Sequence, residues 1–251
     1  MTASAFRAEL QKAHRRHDFL LCLLVPLILV LWVGGLSPTS PEELANGYSA
    51  LFYSVPVIEA ILLPVMMAVL ASRLWDIEVK GSTAKLLYTL QSRRSLFAGK
   101  ALFGALEVLL LTVLMLGPLP LLGKLHHYTE VFPFGQFVYL FICTLAVCLM
   151  LFFGELLLML RFGNPLPALC TGILGALVGL FSAFMPQIVS YFVPFGYFIP
   201  LGAYEVASWD RDTHLVTYGT RPFNWSLLAF TIFLALMLFF AARHSVQKQE
   251  V

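Results

Sequence analysis

The chain has 251 residues, of which 59% are hydrophobic and only 12% charged, with a formal net charge of +2; its mean hydropathy is +0.84. Soluble domains carry about 25% charged residues, so this composition excludes an ordinary soluble enzyme or binding module and indicates an all-α polytopic membrane protein. The small net charge excludes a nucleic-acid partner, and at about 20 residues per crossing the length admits six spans with short loops in a single domain over residues 1–251.

In chain order, Ser4 to His17 places Phe6, Leu10 and Ala13 on one helical face, with Arg7, Lys12, Arg15 and Arg16 around the rest. Residues 1–18 therefore read as an amphipathic helix lying at a charged membrane surface; a solvated basic leader has the same pattern. The leader also carries Glu9 and Asp18, and no A-x-A cleavage pattern follows, so the first apolar run reads as a retained span. Six apolar runs are predicted to cross the bilayer, at about Phe19 to Leu36, Tyr48 to Ala71, Ala101 to Leu122, Gly135 to Leu160, Leu166 to Met185 and Trp225 to Ala242.

Between the second and third runs lies a polar island, residues 72–100, holding Arg73, Lys80, Lys85, Arg93, Arg94 and Lys100. Loops that collect Lys and Arg face the cytoplasm. The leader, the island, the turn at Arg161 and the tail together hold thirteen of the sixteen Lys and Arg, leaving Lys124, Arg211 and Arg221 for the other face. That asymmetry predicts both termini in the cytoplasm. Within the island Gly81 breaks the chain, Ser82 or Thr83 can cap a helix, and Leu86, Leu87 and Leu90 then form one apolar edge. Such a helix is a docking element for a soluble partner or a connector.

The outer loops differ from one another. Ser37 to Gly47 is a Pro and Glu connector, and Gly123 to Phe134 carries His126 and His127 beside Glu130; histidines adjacent in sequence rarely address one ion, so no metal site is read there. In the third loop, 186–223, the apolar segment Ile188 to Gly202 is too short to span and is interrupted by Pro194, Gly196 and Pro200. It is expected to be re-entrant or to lie in the outer interface, with Tyr191, Phe192, Phe195, Tyr197, Phe198 and Tyr204 as an aromatic belt.

Three acids fall within the spans: Glu59, Glu107 and Glu155. A charge at the bilayer centre costs about 3 kcal/mol on insertion scales. Glu155 is expected near the inner end of its span, within reach of Arg161, whereas Glu59, between Pro56 and Pro64 on a kinked span, and Glu107 are deeper candidates for a pathway or for structural hydrogen bonding. In the fifth run Gly172, Gly175, Ala176, Gly179 and Ala183 form a small-residue face, a packing surface either within the chain or between subunits. Cys22, Cys143, Cys148 and Cys170 all lie in apolar runs and act as small hydrophobes. No phosphate-cradling loop, zinc motif or nucleophile turn is present, so if ATP drives this protein another chain binds it.

The basic leader, six runs, island and broken aromatic segment together resemble the type-two exporter permeases of ATP-binding cassette transporters. The island, with Trp75, Asp76, Glu78, Lys80, Gly81, Ser82, Thr83 and Lys85, then Ser92-Arg93-Arg94 and Gly99-Lys100, is similar to that of lantibiotic-immunity and bacitracin-resistance permeases. The resemblance implies that the leader is a connecting helix and that Gly81 to Leu90 is a coupling helix resting in a groove of the ATPase subunit, with Lys80, Gly81, Ser82, Thr83, Lys85, Leu86, Leu87 and Tyr88 as contacts. It implies that Ile188 to Gly202 is the outer re-entrant element and that the first and fifth spans face a second permease, the same or a related chain. It further implies a bacterial plasma membrane, ATP and Mg on the partner with no cofactor here, and amphipathic antimicrobial peptides as substrates. Competing readings are an exporter of drugs or lipids, a proton-coupled transporter with Glu59 and Glu107 as relays, and an integral-membrane enzyme or scaffold.

Overall fold

A computed structural model describes residues 6, 9–12, 18–35, 40–80, 92–209 and 216–248. The described residues are mostly helical. In order they form α1 (Asp18–Gly35), α2 (Pro41–Ala45), α3 (Gly47–Lys80), α4 (Arg93–Leu116), α5 (Leu119–Leu125), α6 (Phe134–Phe162), α7 (Pro165–Ser182), α8 (Gln187–Ser190), a 3-10 turn at Pro194–Gly196, strands β1 (Tyr204–Trp209) and β2 (Val216–Thr220), and α9 (Trp225–Lys248). Five of these stretches are long and apolar enough to cross a membrane: Gly47–Asp76, Arg93–Leu125, Phe134–Phe162, Pro165–Ser182 and Trp225–Lys248; Phe19–Gly35 is a shorter apolar helix.

Local chemistry sets the helix ends. Ser92 caps α4 by accepting from the Ser95 amide, and Asn164 does the same for α7 through the Leu166 amide at 3.0 Å. Gly163 closes α6 with φ +60, a left-handed conformation open to glycine at little cost. The short α2 has a complete capping box between Ser40 and Glu43. α3 runs unbroken through Pro56 and Pro64 for 34 residues, or about 51 Å at 1.5 Å per residue. It outruns the roughly 30 Å hydrocarbon core, so its last turns project beyond the span and extend nine residues past the predicted end at Ala71.

The core lies where α3 packs against both α6 and α7, with α9 along α6 and α1 against α4. Phe52, Leu63, Met67, Phe97, Phe103, Leu111 and Phe152 are buried within it. The outward faces remain apolar, as at Phe230, Phe233 and Phe240 of α9 and Leu174 and Leu177 of α7, which suits lipid rather than water.

The described residues fit the all-α expectation, with one two-stranded hairpin added in the loop 186–223. β1 and β2 pair antiparallel from Tyr204↔Thr220 to Trp209↔Val216, with a bulge between Val206 and Ser208, and Arg221 closes the base through an ion pair to Glu205 at 3.1 Å. Val and Thr favour a pleated backbone, but the interspersed polar residues make the segment look like loop. The expected aromatic belt also divides. Tyr197, Phe198 and Tyr204 are buried while Phe192 is exposed, because the segment folds back onto α7 and only part of it faces outward.

Candidate functional site

The most chemically distinctive place in the molecule is a buried group of charges at the end of the bundle where α3 stops and α4 begins. Glu78 lies on the projecting last turns of α3, Lys100 two turns into α4, and Glu9 and Lys12 one turn apart on the leader. The side chains of Lys100, Glu9 and Glu78 are all 3% exposed or less, whereas that of Lys12 is 29% exposed.

Their atoms close a ring. Glu9 Oε1 lies 2.9 Å from Lys12 Nζ and 3.2 Å from Lys100 Nζ. Glu78 Oε1 lies 2.6 Å from Lys12 Nζ and 3.2 Å from Lys100 Nζ. Each carboxylate thus bridges both ammonium groups, and the four formal charges cancel. Lys100 Nζ also donates to the Leu74 carbonyl at 2.8 Å and sits 5.5 Å over the Trp75 ring. A buried charge is tolerated only when paired and hydrogen-bonded, and this one meets both conditions. Burial disfavours the Lys12 ammonium, but hydrogen bonds and charge from Glu78 and Glu9 outweigh it and hold its pKa above the ordinary 10.5.

The ring joins three separate stretches of chain: the leader, the stem that enters the polar island, and the stem that leaves it. Glu9 points into protein and Leu10 is exposed, while Phe6 is half-buried against the Phe103 ring at 6.1 Å. Phe6, Leu102, Ala105, Leu106 and Leu109 line an open apolar groove of about 300 Å³ beside it.

Of the island residues expected to contact a partner, Gly81, Ser82, Thr83, Lys85, Leu86, Leu87 and Tyr88 lie outside the described residues, and Lys80 is the last residue of α3. The intramembrane acids are separated from one another. Glu59 is fully buried between α3 and α6, where the Thr144 hydroxyl lies 2.9 Å from both carboxyl oxygens. Glu155 is buried, accepting from Thr171 of α7 at 3.1 Å. Glu107 is buried on α4, with its carbonyl 4.0 Å from Cys22 Sγ of α1.

The small-residue face of α7 is used within the chain. A Cβ at Gly172 would sit 2.6 Å from Ala68 Cβ and 3.0 Å from the Pro64 carbonyl of α3. Gly175 lies against the Phe195 ring, and Gly179 against the Phe195 and Gly196 backbone. Ala176 is buried and Ala183 half-buried. Among the described residues no group of three or more His, Cys, Asp or Glu is placed to hold a metal. His126 instead stacks on Tyr128 at 5.9 Å.

Sequence reasoning missed the ring. In the sequence Lys12 and Lys100 stand as topology signals and Glu9 as a mark against a signal peptide. The available clues were the i, i+3 spacing of Glu9 and Lys12 and two acids set among the basic residues that flank one loop.

A family model described as ABC-2 family transporter protein matches residues 5–179, a stretch that contains most of the leader, the island and all four members of the ring. No curated protein matches the chain. With well over half of its length matched, the chain belongs to the ABC-2 family of transporter proteins and is the multi-pass membrane component of an ATP-binding cassette transporter, whose ATP is hydrolysed by partner ATPase subunits.

Proposed function

We propose that this chain is one permease of a bacterial plasma-membrane exporter that expels lantibiotic-like antimicrobial peptides, working beside a second permease of the same or a related sequence. The observation that carries the reading is the buried ring of Glu9, Lys12, Glu78 and Lys100, which anchors both stems of the basic loop and the leader at one end of the bundle. ATP-driven closure of soluble subunits reaches a membrane only through rigid elements in contact with them, and this end is built as such an element. On this reading both termini and the ring are cytoplasmic, following the bias of Lys and Arg, and α1, at 18 residues, makes the sixth crossing.

Residues Gly81 to Leu90 then form the coupling helix, with Lys80, Gly81, Ser82, Thr83, Lys85, Leu86, Leu87 and Tyr88 against the ATPase. Ile188 to Gly202 is the outer re-entrant element, a reading supported by the burial of Tyr197, Phe198 and Leu201. A membrane-soluble peptide substrate is in keeping with a sparsely charged, aromatic outer end, where Tyr48 packs edge-on against Tyr128 at 5.2 Å and Phe132 at 5.1 Å. No cofactor is assigned to this chain; ATP and Mg belong to the partner.

The test is ATP-dependent export of a labelled lantibiotic from cells or proteoliposomes. Lys80→Glu with Lys85→Glu, or Leu87→Pro alone, is expected to lower export about tenfold while membrane abundance stays normal. Unchanged export in the normally expressed variants contradicts the docking role.

A further inference from the structure

The ring contains more than a basic loop needs to face the cytoplasm, since an exposed lysine marks topology as well as a buried one. Here Lys100 is nearly inaccessible, carries four bonding partners, and is reached by a carboxylate from each of two other stretches of chain. Two further observations separate this arrangement from ordinary surface pairing. The carboxylates bridge both lysines through single oxygens, so moving any one of the three stretches breaks at least two contacts. In addition, Lys100 is bonded to the α3 backbone at Leu74 as well as to Glu78, which fixes α3 relative to α4 at two heights.

We propose that Lys100 is a positioning residue, and that the ring of Glu9, Lys12, Glu78 and Lys100 makes the leader and the two loop stems a single rigid lever carrying motion from the ATPase to the outer end of the permease. This rests on the reading of function given above. The leader is thereby a part of the drive, with Glu9 as the group that engages it. A buried ion-pair network replaced as a whole by uncharged groups of similar volume often retains stability, whereas removal of one partner does not. Stability and transmission can therefore be separated by mutation.

The experiment uses the full permease copurified with its ATPase and reconstituted in proteoliposomes. Phe184→Cys, at an exposed outer position just past α7, serves as reporter, with Cys170→Ser removing the exposed native cysteine. A membrane-impermeant maleimide reads the labelling rate with ATP and vanadate and without nucleotide. Lys100→Met alone is expected to lower the unfolding temperature and to abolish the nucleotide-dependent difference. The fully neutralised variant Glu9→Gln, Lys12→Met, Glu78→Gln, Lys100→Met is expected to recover the unfolding temperature and keep ATP hydrolysis, yet to shrink the nucleotide-dependent labelling difference about tenfold. A labelling difference equal to that of the parent would overturn the proposal. Should the neutralised variant fail to assemble, Glu9→Gln decides, since it leaves shape and both stems intact: a several-fold smaller labelling difference supports the lever, and an unchanged one sinks it. If the parent carries no ATPase at all, the reading of function fails first, and that result is visible before any variant is made.

Discussion

Thr144 donates a hydrogen bond to Glu59 from a hydroxyl held 2.9 Å from both carboxyl oxygens in the middle of the bundle. Thr144→Val keeps the shape and removes the donor, and is expected to lower stability by about 1–2 kcal/mol, read as a lower unfolding temperature in detergent; an unchanged transition would show that the contact contributes nothing. Glu59→Gln, which keeps a hydrogen-bonding group, should be better tolerated than Glu59→Leu in the same assay. Glu59 was legible in the sequence because a carboxylate in an apolar run is rare. Its partner was not, because a threonine in a span bonds equally well to its own helix, as Thr112 and Thr231 do. At Lys12 a raised pKa means the folded form holds its proton more tightly than the unfolded chain. The stability this contributes is fully present below the ordinary lysine value and is lost only as pH rises through the higher folded value. Protection of the leader from added protease should therefore be constant from about pH 6 to 9, and loosening inside that range would contradict the ring as drawn.

Among the elements, α3 and α7 approach each other closely. At Gly172 any side chain meets Ala68 and the Pro64 carbonyl, whereas at Gly154 a Cβ would rest at an ordinary 3.6 Å from Leu238. Gly172→Val is expected to destabilise by about 1–3 kcal/mol or more, while Gly154→Ala should be neutral or stabilising by up to about 1 kcal/mol; equal unfolding temperatures for the two would refute the packing. The sequence showed the small-residue face but not its occupant, because spacing reports close approach without saying which helix approaches. The apolar runs predicted these helices well since bilayer thickness imposes their length, yet it imposes nothing on a helix once past the lipid. That is why α3 exceeded its predicted end and carried Glu78 to the ring. The hairpin of β1 and β2 escaped notice for a related reason: strands outside the membrane depend on pairing across a turn, which a single run of residues does not display.

For the whole molecule, the two ends are built from different materials. One end holds a neutral ring of four charges under a basic loop, and the other an aromatic cluster of Tyr48, Phe52, Tyr128, Phe132 and Phe137. Long helices join them, which allows a force applied to the loop to reach the far side. The family was legible from the order of leader, spans and island, because those features follow from membrane topology. The ring was not, since its members lie 66 residues apart in sequence from Lys12 to Glu78 and only folding brings them together. That this chain is driven by ATP bound on another subunit is checked by affinity purification in mild detergent with mass identification of the copurifying proteins. The expected result is recovery of a soluble subunit bearing a phosphate-binding loop, together with a second permease, the same chain or a related one. Recovery of the chain alone, folded and stable, would contradict it.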